Sequence, residues 1–269
     1  MKNKYAICYN NTIEDAQLVV NKLQKILDSF DSDYTVLTMN DLKDGYDFVF
    51  VIGGDGTILK TSRFYSKHNV PVFGINLGHL GFLSQASESE LETAINKIIN
   101  NDYKIENRIM LSCGQYTALN DFVIKGAESS RAASFSLKIN DKFVCEYFAD
   151  GLIISTPTGS TAYGMASGGP ILSPESDVIE IVPICPHTFS ARPIVVPSDS
   201  RIKITSNCAQ KYSISADGQE VFESDKDIEI VKSDYCAKLV LLNEYDFYTI
   251  LRNKLHWGFS PVKINSERN

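Results

Sequence analysis

The chain has 269 residues, 43% of them hydrophobic and 22% charged, enough for one large or two medium domains around a sizeable core. Its net charge of -7 comes with no cluster of lysines and arginines, which argues against a nucleic-acid partner. No apolar run reaches the roughly 18 residues of a membrane span, and the opening MKNKYAICYNNT lacks the apolar stretch of a secretory signal, so the expected setting is the cytoplasm, with no membrane partner.

In chain order, KYAICY (4–9) reads as a first strand. A helix should follow, since Ile13, Ala16, Val20, Leu23, Leu27 and Phe30 recur at helical spacing. Strand then helix opens a βαβ unit. YTVLTM (34–39), FVFVI (48–52) and VPVFGI (70–75) are further strands, with a helical pattern over about 58–66 between the last two, which suits a parallel sheet covered on both faces. Ser87 and Glu90 have capping-box spacing and predict another helix start. Beyond about residue 105 the segments FSLKI, KFVCEYF, LIIS, RIKIT, YSIS, IEIV and KLVLL are short and β-rich, with turn residues at Asn140-Asp141 and Asp217-Gly218. A helical pattern returns at the end, with Phe247, Ile250, Leu251, Leu255 and Trp257. The expected organisation is an α/β domain over 1–105 with a Rossmann-like parallel sheet, a β-rich, sandwich-like domain over 106–245, and a tail over 246–269 that packs back on the first domain. Six cysteines (Cys8, Cys113, Cys145, Cys185, Cys208 and Cys236) contain no CxxC pair, which favours reduced thiols over a disulfide framework or a zinc site.

Three stretches carry chemistry. The strand FVFVI ends in Gly53-Gly54-Asp55-Gly56-Thr57 and runs into a helix, where orphan N–H groups and the helix dipole favour anions. Glycines let phosphate oxygens approach the backbone. Neither a G-x-x-x-x-G-K-[ST] loop nor a G-x-G-x-x-G fingerprint is present, so neither a P-loop nor a dehydrogenase-type dinucleotide fold is supported. Asp55 is out of place beside phosphates unless it holds Mg²⁺ or takes a proton from an attacking hydroxyl; the alternative is a plain Asp-Gly turn. In DGLIISTPTGSTAYGMASGGPIL (150–172), Thr156, Thr158, Ser160 and Thr161 form a hydroxyl-rich loop able to bond ribose, phosphate or base edges. In ALNDFVIKG (118–126), Asn120 and Asp121 have the chemistry to read an adenine edge and clamp ribose hydroxyls, or else form an Asx turn before a strand.

Together with GINLGHLGFL (74–83), PHTFSARPIVV (186–196) and DGQ (217–219), these stretches resemble the NAD kinase family in order and over most of the chain. The TPTGSTAY loop is the discriminating mark, because lipid kinases and phosphofructokinases carry a similar GGDGT. The resemblance implies transfer of the terminal phosphate of ATP, or of polyphosphate, to the 2′-hydroxyl of the adenosine ribose of NAD, giving NADP. It further implies a homo-oligomer, dimer or tetramer; the chemistry of phosphoryl transfer calls for Mg²⁺ or another divalent cation delivered with ATP, and the sequence shows no protein-only metal site. Residue by residue, the resemblance makes Asp55 the general base and sets Gly53, Gly54, Gly56 and Thr57 around the donor phosphates; since phosphoryl transfer needs charge compensation, Lys60 is a candidate for a further positive charge there. Phe82 falls near the adenosine, Asn120 and Asp121 on its ribose, and Thr158, Thr161, Ala162, Tyr163 and Ala166 on the adenine side. Asp150 falls at the nicotinamide end, often across a subunit boundary. Phe148 stands where some members have arginine. Arg131 and Gln219 are ligand contacts by position, and His79, His187 and Arg192 lie in matching motifs. Two rival readings are a lipid or sugar kinase, against which the hydroxyl-rich loop stands, and a silent NAD or NADP sensor, against which Asp55 stands.

Overall fold

The computed structural model describes residues 3–78, 81–127, 132–205 and 211–256. β1 (Lys4–Tyr9) leads into α1 (Ala16–Ser29), then β2 (Asp33–Thr38), β3 (Phe48–Ile52), α2 (Asp55–Ser66) and β4 (Val72–Asn76). All four strands pair in parallel in the order β2-β1-β3-β4. Parallel neighbours require crossovers, which α1 and α2 supply. The five residues of β3 are all buried, as a strand covered on both faces requires. Phe48, Phe50 and Ile52 join the cluster that includes Val20, Leu23 and Leu27 of α1, whereas Val49 and Val51 join the one holding Ile58 and Leu59 of α2. After β5 (Ala86–Ser87), Ser87 N and Oγ both donate to Glu90 Oε2, at 2.9 and 2.6 Å. This is the capping box that the sequence predicts, and it opens a short 3-10 turn that continues into α3 (Leu91–Ile99).

The second half comprises β6 (Lys104–Cys113), β7 (Tyr116–Ala118), β8 (Asp121–Gly126), β9 (Ala133–Ile139), β10 (Lys142–Ala149), β11 (Gly151–Ser155), α4 (Tyr163–Ala166), β12 (Val178–Ile184), β13 (Ile194–Pro197), β14 (Ile202–Thr205), β15 (Tyr212–Ala216), β16 (Glu220–Ser224) and β17 (Ile228–Leu241). One antiparallel sheet runs β13-β12-β11-β8-β15-β16. Its inner residues Phe122, Ile124, Ile154, Ile181 and Ile214 share a core with Phe135, Leu137, Ile202, Ile204 and Ile230 of β9, β14 and β17, which is the sandwich expected from alternating short strands. The hairpin turns fall where Asn and Asp-Gly predict them, with positive φ at Asn140 (51°) and Asp141 (63°), and at Asp217 (52°) and Gly218 (63°).

One difference from the sequence reading matters for the site. IEIV and KLVLL read as two strands, but they are one 14-residue strand, β17, whose register shifts between Lys232 and Cys236. A bulge keeps the polar segment between them within the ladder while bending it, so a stretch that looks like a turn does not end the strand. At one end β17 pairs antiparallel with β14, and at the other Leu239 pairs in parallel with Val72 of β4. The sheet order β10-β9-β14-β17-β4-β3-β1-β2 therefore runs through both halves and holds them side by side. α5 (Phe247–Leu255) follows; Trp257 lies outside the described residues. Among the described residues no helix is long and apolar enough to cross a membrane.

Candidate active site

Asp55 is in the first turn of α2, immediately after the N-cap Gly54. The segment after β4 wraps over it: the Phe82 amide donates to Asp55 Oδ2 at 3.0 Å and the Leu83 amide to Oδ1 at 3.3 Å. Gly81 makes that approach possible, because a Cβ there would lie 1.9 Å from Asp55 Oδ1. Two amides thus fix the carboxylate, and its remaining lone pairs are left to accept from something else. Gly53 packs in a similar way on its own loop, where a Cβ would meet the Thr57 hydroxyl oxygen at 2.5 Å.

Asp55 borders a cavity of about 200 Å³ whose other lining includes Phe82, Asn120, Thr158, Thr161 and Ala162. Residues far apart in sequence meet here because the carboxyl end of β3 faces the start of β8 and the loop after β11. A second cavity of about 360 Å³ adjoins it, sharing Asn120 and Ala162 and adding Asp121, Lys125, Tyr163 and Asp217. The four hydroxyls of the TPTGST loop divide into two pairs. Thr156 and Ser160 are fully buried and serve the scaffold: Thr156 Oγ1 donates to the Leu119 carbonyl of the neighbouring segment at 2.6 Å, and Ser160 Oγ to the Pro157 carbonyl of its own loop at 2.7 Å. Thr158 and Thr161 line the cavity. The sequence shows four equivalent hydroxyls; only the bend of the loop separates scaffold from lining.

Arg108, Tyr245 and Phe247 also line this cavity, and the sequence reading misses them. Arg108 is buried, pairs with Glu106, and donates from Nη1 to Thr158 Oγ1 at 3.2 Å. An accepted bond from a guanidinium leaves the Thr158 hydroxyl proton free to point elsewhere. Arg108 sits in a β-run, where alternation alone does not reveal that its charged head turns inward.

The DGQ turn lies behind Asn120 and Asp121. Asp217 accepts from the Leu119, Asn120 and Asp121 amides at 3.1, 2.7 and 3.2 Å. Gln219 Nε2 donates to the Gly56 carbonyl at 2.7 Å, tying this turn to the donor-side loop. Burial raises the carboxyl of Asp217, against the opposing pull of those amides and of Arg63. Asp121 is pushed up to about 7, first by burial and then by Asp217. Glu180, fully buried on β12, is pushed up to about 8 by burial and then by Asp121, and neither of its oxygens has a hydrogen-bond partner. Of the three, Asp217 has the strongest counterweight to burial, three N–H donors and a guanidinium.

With this geometry in place, similarity to known proteins becomes informative. Residues 3–103 match the ATP-NAD kinase N-terminal domain and residues 119–242 the ATP-NAD kinase C-terminal domain. The chain belongs to the NAD kinase family. As a member it is a kinase, with ATP-dependent phosphorylation of NAD as its activity. An NAD kinase of Clostridium botulinum (strain Loch Maree / Type A3) is 42% identical over 223 residues, which span 78% of this chain and 79% of that one. One of Pseudomonas fluorescens (strain Pf0-1) is 44% identical over 225 residues, 79% of this chain and 76% of its own. An NAD kinase from Archaeoglobus fulgidus, solved in complex with ATP, superposes with a TM-score of 0.79 at 26% identity over 94% of this chain and 98% of that one. A yeast NADH kinase complexed with NADH shares the fold, with a TM-score of 0.82 at 24% identity over 96% and 89% of the two chains.

Against the site that family resemblance implies, the structure gathers Asp55, Phe82, Asn120, Asp121, Thr158, Thr161, Ala162 and Tyr163 around the two adjoining cavities. Gly53, Gly54, Gly56 and Thr57 form the loop at the start of α2, and Gln219 reaches it through Gly56. Lys60 is exposed one turn further along α2 and borders neither cavity. Ala166 is exposed at the end of α4. Phe148 and Asp150 also stand away from both cavities, grouped with His187: the Phe148 and His187 rings meet edge-on at 5.1 Å, and His187 Nε2 lies 3.6 Å from Asp150 Oδ1. Arg192 turns back to its own loop, donating to the Phe189 and Ala191 carbonyls. Arg131 and His79 lie outside the described residues.

Proposed function

We propose that the cavity beside Asp55 holds the adenosine ribose of NAD, and that Asp55 takes the proton from its 2′-hydroxyl as that oxygen attacks the terminal phosphorus of ATP. The new O–P bond forms as the bond to ADP breaks, and the proton passes to the Asp55 carboxylate. One observation carries the reading: a single carboxylate, oriented by two amides, stands where the glycine loop meets Asn120, Thr158 and Thr161. A ribose hydroxyl is a weak nucleophile, so alignment with the phosphorus and removal of its proton are the two things the protein must supply. The start of α2 supplies dipole and N–H groups for the donor's phosphates. Asn120 and Asp121 engage the ribose, and Thr161 and Ala162 the adenine.

Mg²⁺ carried by the nucleotide fits this site, because such an ion keeps most of its shell on phosphates and water and asks for only one or two protein oxygens, which Asp55 offers. When bound it would neutralise charge on the transferred group. Polyphosphate offers the same terminal phosphoryl group and is proposed as an alternative donor.

The chain divides near residue 105 into an α/β and a β-rich domain, with 246–269 returning to the first; the ranges of the two family matches support the division, and the ring contact of Phe247 with Phe82 at 6.5 Å supports the return. A homo-oligomer is supported by Phe148 and Phe189, large apolar side chains left exposed beside the Asp150 and His187 pair. The cytoplasm suits the cysteines, of which Cys8, Cys113, Cys145, Cys185 and Cys236 are all free thiols. The test is direct: incubate the purified protein with NAD, Mg²⁺ and either ATP or polyphosphate, and follow NADP with an NADP-specific dehydrogenase. Absence of NADP with every donor would overturn the proposal.

A further inference from the structure

Arg63 has no place in the chemistry described so far, yet it is a buried charge that makes four contacts across the molecule. It lies on α2, two turns beyond Asp55, with its side chain 6% exposed. Its Nη1 donates to the Ala216 carbonyl at 3.3 Å, and its Nη2 to Gln219 Oε1 at 3.1 Å and Glu220 Oε1 at 3.0 Å. Its Nε stands 3.6 Å from Asp217 Oδ2, and the Asp217 side chain is completely buried. Every one of these partners belongs to the hairpin of β15 and β16, at its turn or at the strand ends that flank it, in the other half of the chain.

That turn is anchored on both sides of the cleft. Asp217 holds three consecutive amides, those of Leu119, Asn120 and Asp121, and its own amide donates to the Asp121 carbonyl at 2.9 Å. Gln219 returns to α2 by donating to the Gly56 carbonyl, one residue from Asp55. The path is closed: Asp55 and Arg63 ride on one helix, Arg63 holds the turn, the turn holds Asn120 and Asp121, and Gln219 ties it back beside Asp55. We propose that Arg63 is a positioning residue, which through Asp217 sets where the ribose-holding pair stands relative to the base on α2. This rests on the roles proposed above for Asp55, Asn120 and Asp121.

A buried ion pair is weak evidence for stability, since its desolvation offsets most of its attraction. What a guanidinium supplies is geometry: a planar fork that satisfies several acceptors at fixed angles, which an apolar filler of the same volume would not do. Geometry is what a two-substrate transfer needs, because a misplacement of about 1 Å between reacting groups costs on the order of 10²-fold in rate.

The experiment is steady-state kinetics on Arg63→Gln and Arg63→Lys, with the folded fraction of each read from its melting curve. Arg63→Gln should lose about 30- to 100-fold in kcat per folded molecule while its affinity for ATP, measured by calorimetry, stays within about threefold. Arg63→Lys should recover part of the rate. The pH profile separates positioning from bulk stability. Asp217 faces Arg63 from α2 and Asp121 from β8, with Glu220 of β16 on the far side of the guanidinium; removing the cation leaves Asp217 to bind a proton more readily. The kcat of Arg63→Gln should therefore rise with pH in a step absent from the wild type, and Arg63→Gln combined with Asp217→Asn should lack that step. Wild-type kcat per folded molecule with a wild-type pH profile would overturn the proposal, even at a lower Tm. Should Arg63→Gln fail to fold, Gln219→Ala cuts the tie to Gly56 and one Arg63 contact while leaving the pairing of Arg63 with Asp217 and Glu220; a fall of about tenfold in kcat at unchanged Tm supports the proposal, and an unchanged kcat overturns it. A wild-type protein that forms no NADP defeats the functional reading itself, an outcome separate from normal NADP formation by the Arg63 variants.

Discussion

Asp55 on one wall of the cleft and Asp121, Asp217 and Glu180 on the other are the same functional group in two settings. Asp55 stands half-exposed at a helix start, held by two amides from the neighbouring loop. The other three lie in or beside one row of the β-rich sheet, where Ser155 pairs with Asp121 on one side and with Glu180 on the other, and Asp217 follows the next strand. Cross-strand neighbours in a row share a face, so these carboxyls are pressed together out of water: burial raises all three, and Asp217 adds to the rise at Asp121 as Asp121 does at Glu180. The contrast separates two tasks. A base must be oriented and open to its substrate, which asks for amides and some solvent; a group that only packs behind the pocket, as Glu180 does, can be dry and hold its proton.

The largest expected effect tests the wet wall. Asp55→Asn should lose about 10² to 10⁴ in kcat, the usual range for a general base, with NAD affinity within a few-fold. A near-normal rate would remove Asp55 from the chemistry and with it the contrast. Gly81→Ala leaves the carboxylate in place chemically but puts a methyl on its oxygen, so a displaced base with a fall of about 10²-fold in kcat is expected, with ATP binding retained. An unaffected rate would show that the orientation held by Phe82 and Leu83 is not needed.

Asp121 sharpens the comparison through pH. Its folded-state value of about 7 lies above the ordinary carboxylate range, so it is protonated below that and ionised above it. Ribose hydroxyls donate best to the ionised form, and kcat/KM for NAD should climb about tenfold from pH 6 to 8. Asp121→Asn should flatten that climb; a slope that survives the substitution would assign it elsewhere.

The smallest effect is on stability. Glu180 is raised from 4.5 to about 8, so folding keeps a proton that the unfolded chain releases. Its contribution is neutral below about pH 4.5 and turns increasingly unfavourable as pH rises to about 8, where it levels off. Glu180→Gln, which never ionises, should match the wild type at acid pH and exceed it at pH 8 by a few kcal/mol, about 5 at most for the full shift, read as a rise in Tm. A gain that is equal at all pH values would point to packing against Gly164 and Gly169 rather than to the proton.

The chain's alternations and glycine-bounded runs determine by themselves the parallel βαβ core, the Asn140-Asp141 and Asp217-Gly218 hairpins, the Ser87–Glu90 cap and the loop that presents Asp55. The elements, turns and cap are each signalled within a few residues by backbone propensity, periodicity and local hydrogen bonding. Tertiary structure alone decides that β17 crosses both halves, that Thr156 and Ser160 turn inward while Thr158 and Thr161 face the cavity, and that Arg63 and Arg108 bury their charged heads. The two arginines depend on partners 50 to 157 residues away, Thr158 for Arg108 and residues 216–220 for Arg63. No pattern within a helix or strand repeat carries that distance, because burial of a charge becomes favourable only once its distant acceptors have been brought to it.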